Sequence, residues 1–410
     1  MLLKLLTFNH NRSSILWLFV LSTFITSCSS DDDPEAEIEI SRFISSESVG
    51  SKATSDFVPL IRFAGVDVGE ENWKYDVELF KINYTTELLG QEIQASALII
   101  VPDTNEKLGI ISFHRGTITA NKEAPTELSL NSSFITLFSG LSSLGLVAVL
   151  PDMIGFGTSA GITHPYYVKD ITASTVRDAI IATKEFMQER EITKSGDLFL
   201  AGYSQGGYIT MAAQRSIEQT PINDLELVAS FPAAGAYDVK GMQEYFFTLD
   251  TYEQPYYLAY VGIAYQEYFA ADLTLADVFN SPYAERIPDL FDGTLTNSAI
   301  NSQLTEEIDE LLTPEFLTGL ETDEKFTEFR NIFIENGLLD WKPSVPTYLY
   351  HGNADTFIPL QNSIDTQEVL LANGAKEKNL SLTILEGKDH GGGVIPYAED
   401  VAKKLIEILN

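Results

Sequence analysis

The 410-residue chain is 44% hydrophobic, enough to bury a sizeable core as one large domain or two modest ones. It carries 26 Lys and Arg against 59 Asp and Glu, a net charge of −33. Such a surface repels phosphate backbones and argues against nucleic acid as a partner; beyond that it implies a solvated acidic exterior.

Lys4 and Arg12 precede an apolar run from Ile15 to Ile25. That run is too short for a spanning helix of about 20 residues but fits the apolar region of a signal peptide over residues 1–27. Cys28 is the sole cysteine, so no disulfide can form within the chain. The Thr26-Ser27-Cys28 sequence resembles a bacterial lipoprotein lipobox, which implies cleavage before Cys28 and acylation of its thiol. The polar, acidic stretch "SSDDDPEAE" follows, read as the start of a flexible tether over 28–56. Ser-Asp-rich stretches in this place resemble surface-export signals of Bacteroidetes lipoproteins. The expectation is a lipid-anchored protein of the cell envelope, on the exposed face of the outer membrane.

From residue 57 strands and helices alternate. "YDVELFKINYTT" and "IQASALIIVP" predict an antiparallel pair turning at "ELLGQE". "LGIISFHRGT" is a short buried-type strand, residues 127–143 read as a helix, and "LGLVAVLPD" is another strand. Val176, Ala179, Ile180, Thr183 and Met187 recur at helical spacing in the next segment. "DLFLAGY" predicts a strand with a helix from Gln205, and "LELVASFPAAGAY" a further strand. After the irregular block described next come the strand "PTYLYHGNAD", the helix "NSIDTQEVLLANG", the strand "LSLTILEG" and a closing helix over "YAEDVAKKLIEIL". Continuous apolar strands between amphipathic helices predict an α/β fold, a mainly parallel sheet covered on both faces. The block 239–344 breaks the pattern, being rich in aromatics and helical throughout. It is read as a helical cap inserted into a core of residues 57–238 and 345–410.

Ser204 lies in "FLAGYSQGGYITMAA", where an apolar strand runs into the serine and a helix leaves it. That is the setting a nucleophile elbow needs, with Gly202 and Gly206 giving room for the tight turn. The N-terminus of the new helix presents the Gln205 N–H to a developing oxyanion. A hydroxyl of high pKa requires a base and a group orienting that base. His390, in "LEGKDHGGG", follows the last strand in a glycine-flanked loop and is the candidate base. His10 lies in the signal segment, His164 follows no strand, and His114 and His351 sit at strand ends. Asp355, just beyond a strand in "TYLYHGNADTFIP", is the candidate acid; Asp389 adjoins His390 too closely to orient it. "ISFHRGTIT" supplies the loop for a second oxyanion donor, with Gly116 allowing close approach. No histidine cluster of the H-E-x-x-H kind suggests a metal, and the chemistry needs no cofactor.

The ordered set "FHRGT", "PDMIGFGTS", "GYSQGG", "HGNADTFIP" and "DHGGG" resembles the α/β-hydrolase superfamily, and within it the secretory lipase and esterase group. The resemblance spans roughly residues 75–409 apart from the cap. It implies Ser204 as nucleophile, Asp355 as acid, His390 as base, and the Gln205 and Thr117 backbone amides as oxyanion donors. Where the group has histidine before the glycine this chain has Arg115, which leaves Gly116 as an alternative donor; Arg115 itself is read as a contact to a substrate carboxylate or, in preference, as a salt-bridge partner. The function expected is hydrolysis of a carboxylic ester with a hydrophobic acyl or alcohol group, through an acyl-enzyme. A serine exopeptidase of the same fold, using Glu244, Glu253 and Glu267 of the cap to bind an amine, is the alternative. A surface-binding lipoprotein without catalysis is the reading from another class.

Overall fold

The computed structural model describes residues 40–269 and 274–410. The proposed signal segment and Cys28 lie outside these residues.

Nine strands form one sheet in the order β1-β2-β3-β5-β4-β6-β7-β8-β9. They are β1 (Phe43–Lys52), β2 (Val77–Leu88), β3 (Gln91–Pro102), β4 (Leu108–His114), β5 (Leu146–Pro151), β6 (Lys194–Tyr203), β7 (Glu226–Ala233), β8 (Thr347–Gly352) and β9 (Leu380–Leu385). Pairing is antiparallel from β1 to β5 and parallel from β5 through β9. This is an α/β-hydrolase type of sheet.

Side-chain alternation explains why both faces must be covered. Val147, Val149, Leu198 and Leu200 point to one face, where helices α3 (Lys169–Glu189) and α4 (Gln205–Gln219) bury them. Ala148, Leu150, Phe199 and Ala201 point to the other, against α1 (Thr54–Phe63), α2 (Ser133–Ser143) and the C-terminal helix Val394–Leu409. The expected helix over 127–143 begins only at Ser133. The Ser132 hydroxyl accepts the Ile135 N–H at 3.2 Å and starts the helix there.

The tether expected over 28–56 is corrected at its end. Residues 43–52 are strand β1, antiparallel to β2. Its polar sequence suits an edge strand, which gains its place from backbone bonds rather than apolar burial. Glu185 on α3 accepts the N–H groups of Arg42 and Phe43 at 2.9 and 2.7 Å. Arg42 Nε also lies 2.9 Å from the buried carboxylate of Asp178.

Between β7 and β8 the chain forms α5 (Val239–Phe246), α6 (Pro255–Phe269), α7 (Leu275–Val278), α8 (Tyr283–Leu290), α9 (Asn297–Asn301), α10 (Ile308–Leu311), α11 (Pro314–Gly319) and α12 (Thr327–Glu335). Their apolar residues share a core with Leu349, Ile358, Leu370 and Leu380 of the sheet region. The helices α13 (Leu360–Ala372) and α14 (Val394–Leu409) complete the fold. No described helix is long and apolar enough to cross a membrane.

Candidate active site

Because β4, β6, β8 and β9 run parallel, their C-terminal ends lie along one edge, and the segments leaving them meet there. Ser204 follows β6, Asp355 follows β8, His390 follows β9, and Gly116 and Thr117 follow β4.

Ser204 occupies the turn from β6 into α4 with φ 62° and ψ −127°, a left-handed conformation uncommon for a residue with a Cβ. Its own N–H donates to the Ala233 carbonyl at 2.9 Å, and its carbonyl accepts the Gly207 N–H at 2.8 Å. The turn closes only because Gly206 is bare: a Cβ there would collide with the His114 carbonyl. At Gly202 a Cβ would strike the Gly206 carbonyl.

Ser204 Oγ lies 2.8 Å from His390 Nε2, and His390 Nδ1 lies 2.7 Å from Asp355 Oδ2. Asp355 is shut away from solvent while the His390 ring keeps 12% of its surface. Burial works against the Asp355 charge, but hydrogen bonds from His351 and His390 and from the Ile358 N–H outweigh it. They hold its carboxyl well below the usual carboxylate range. An ionised Asp355 only accepts, so His390 Nδ1 carries the hydrogen and Nε2 is left to accept from the serine. The loop of His390 is held from behind by the Tyr203 hydroxyl, which donates to its carbonyl at 2.9 Å. Asp389 instead accepts the Gly392 N–H at 2.6 Å within its own turn.

Gln205 opens α4, so its backbone N–H is one of the amides that a helix cannot satisfy internally. Gly116 packs against the Ser204 side chain, and a Cβ there would lie 3.4 Å from Ser204 Cβ. Thr117 is pinned from two sides: its hydroxyl is 2.9 Å from the Tyr166 hydroxyl, and its carbonyl accepts from Asn297 Nδ2 at 3.0 Å. Gly116 thus lies against the serine, with Thr117 next along the loop. Among the described residues Arg115 forms no salt bridge, contrary to expectation. Its guanidinium donates to the Glu123 carbonyl and lies 5.0 Å over the Phe134 ring, because the loop folds back on its own backbone.

Ser204 opens into a cavity of about 790 Å³, its mouth included. The walls are Tyr166, Tyr167 and the helices between β7 and β8, chiefly Phe246, Phe279, Phe316, Phe329 and Phe333. Gln243 and tyrosine hydroxyls are nearly the only polar groups besides the serine. Tyr257 of α6 lines the same cavity beside the serine. Sequence reasoning missed Tyr166, Tyr257 and Asn297, because helix periodicity cannot say which aromatic faces a neighbouring loop. Among the described residues no cluster of three or more His, Cys, Asp or Glu has the placement of a metal site.

Fold and site define the class: this is an α/β-hydrolase, with a hydroxyl, an imidazole and a buried carboxylate in hydrogen-bonded series. A family model described as secretory lipase matches residues 126–387, and the chain belongs to that family. Membership of a lipase family makes the chain a carboxylic ester hydrolase, and export accords with a secretory family. Solved structures agree on the fold. A Legionella pneumophila protein designated a hydrolase superposes with a TM-score of 0.79 at 23% identity, covering 90% of this chain and 98% of that one. The rice cell wall degrading esterase LipA of Xanthomonas oryzae, in a ligand-bound form, gives 0.75 at 23% identity, covering 90% and 96%. Candida antarctica lipase A in its closed state gives 0.64 at 16%, covering 88% and 82%. No curated protein matches the sequence.

Proposed function

We propose that the protein is a serine esterase acting on carboxylic esters with a hydrophobic acyl or alcohol group. The observation that carries this reading is the Ser204–His390–Asp355 series opening into an apolar, aromatic-lined cavity. Ser204 Oγ attacks the ester carbonyl carbon as its proton passes to His390 Nε2. Asp355 holds the imidazole in the tautomer that accepts this proton and balances the imidazolium that results. The oxyanion of the tetrahedral intermediate meets the Gln205 N–H and the amide of Thr117 or Gly116. His390 then protonates the departing alcohol, and water, activated by the same imidazole, cleaves the acyl-enzyme.

The exopeptidase alternative needs a carboxylate in the pocket to hold an amine. Glu244, Glu253 and Glu267 are all exposed, and Glu244 pairs with Lys240 at 2.7 Å. Among the described residues none of them lines the cavity, which favours the ester reading. The 239–344 segment is the cap of this reading, and Cys28 its lipid attachment site, placing the enzyme on the cell envelope.

Fluorophosphonate labelling with p-nitrophenyl butyrate hydrolysis tests the assignment. The wild type is expected to be labelled and active, and Ser204→Ala to lose both, with activity falling by roughly 10⁴-fold or more. A wild type that resists the probe, or a Ser204→Ala protein that keeps its activity, would remove Ser204 as nucleophile.

A further inference from the structure

His164 takes no part in the proton path, yet it is 5% exposed and touches the residue that follows the nucleophile. Its Nδ1 lies 2.7 Å from the Ile154 carbonyl, and its Nε2 lies 2.7 Å from Gln205 Nε2. A carbonyl only accepts, so Nδ1 carries the hydrogen. Burial, against the pull of the Ile154 carbonyl, brings the imidazole down to about 4, so the ring is neutral and Nε2 offers a lone pair to the Gln205 amide. The neighbouring Tyr166 hydroxyl is 2.9 Å from Thr117 Oγ1. One short loop therefore grips the side chain of Gln205, the residue after the serine, and that of Thr117, in the loop whose Gly116 packs on the serine.

The loop is itself held. Gly155, at φ 100°, lets it come close: a Cβ there would lie 2.9 Å from His164 Cα and Cβ. From α6, the Tyr260 ring stacks on Tyr166 at 4.4 Å and 10°, and lies 5.5 Å from His164. The Tyr268 hydroxyl, also on α6, donates to the Thr163 carbonyl.

We propose that His164 and Tyr166 are positioning residues that set the two oxyanion amides, through Gln205 and Thr117, and tie their placement to helix α6. The proposal rests on the serine-esterase reading above. Gln205 is the first residue of α4, where no preceding turn restrains its side chain. Anchoring that side chain restrains the Ser204–Gln205 peptide plane, and so the direction of its N–H. Oxyanion stabilisation depends steeply on donor placement, so loosening these anchors raises the barrier while leaving ground-state binding in the apolar cavity intact.

The experiment uses His164→Phe, Gln205→Met and Tyr166→Phe in the full protein, with p-nitrophenyl butyrate turnover and inhibition by an aryl trifluoromethyl ketone. The ketone forms an oxyanion on the serine and so reports on the amides directly. The expected result is a roughly tenfold loss of kcat in His164→Phe and Gln205→Met, below the 10²–10³ of deleting a donor, with KM within about twofold. Ketone affinity falls in proportion, and the His164→Phe/Gln205→Met double variant loses no more than either single variant, because both break one bond. Tyr166→Phe keeps the stacked ring and loses several-fold in kcat. Should His164→Phe not fold, Gln205→Met and Tyr166→Phe carry the same comparison. Folded variants with unchanged kcat and ketone affinity overturn the proposal, as does a loss confined to KM or a double variant whose losses multiply. A wild type that neither turns over ester nor takes the fluorophosphonate overturns the serine reading and this proposal with it; an active, labelled wild type with unaffected variants overturns this proposal alone.

Discussion

Ser204 is held at φ 62°, where its Cβ crowds the backbone, and strain of this kind costs on the order of 1–3 kcal/mol. The strain follows from projecting the side chain off the sheet edge towards His390, and glycine would relieve it. Ser204→Gly is therefore expected to be more stable than Ser204→Ala by about 1 kcal/mol in urea unfolding. Equal midpoints would show that the turn stores no strain. The four described histidines separate at this same scale. His114 is bonded to Ser112 and Thr210, His351 to Ser363 and Ile358, and His164 to Ile154 and Gln205, each through both ring nitrogens. His390 alone among them reaches the serine.

At the scale of elements, α4 approaches β4 so closely that Gly206 rests on the backbone after His114. This contact sets the serine, the Gln205 amide and the Gly116 loop at one edge of the sheet. Helix α6 covers the same edge and brings Leu258 and Val261 to the cavity wall. Both are only half-buried, so a larger side chain there fills cavity space with less strain than one in the sheet core. Leu258→Trp is expected to lower kcat/KM for a p-nitrophenyl ester of an eight- to twelve-carbon acid by roughly tenfold, with acetate turnover within about twofold. Parallel losses for long and short esters would place the acyl chain somewhere other than this cavity.

Across the whole molecule, burial sets a pH limit on stability. It brings His114 down to about 3 and His164 down to about 4 from the ordinary 6.5. Groups kept neutral in this way contribute fully above pH 6.5 and lose that contribution as pH falls towards their folded values. Asp152 runs the other way. Burial raises it to about 6 against hydrogen bonds from Ser96 and Thr126, so its unfavourable charge is relieved as pH falls through 6. Burial raises the Asp178 and Asp238 carboxyls in the same sense, yet the two imidazoles are displaced furthest, and stability is expected to decline between pH 6.5 and 4. Asp355, held ionised, adds to the decline once pH falls into the ordinary carboxylate range, where the unfolded chain takes up the proton first. The urea midpoint should be lower at pH 4.5 than at pH 7; an equal or higher midpoint at pH 4.5 would contradict the balance.

Much of this was legible in the residues alone. Strand and helix periodicities identify the parallel sheet, since burial on both faces demands continuous apolar strands such as Leu146–Pro151. Gly202 and Gly206 mark the elbow because no other residue fits a turn that tight, and chain order singled out Asp355 and His390. Local pattern could not reveal strand β1, whose polar residues are held by backbone pairing and by Glu185 more than 140 positions away. Nor could it start α2 at Ser133, place Arg115 over Phe134, or bring His164 to Gln205 across 41 residues. Those contacts depend on which loops the folded sheet brings to one edge. Periodicity records only which face of an element is buried, whereas the partner on that face is chosen when distant segments pack together.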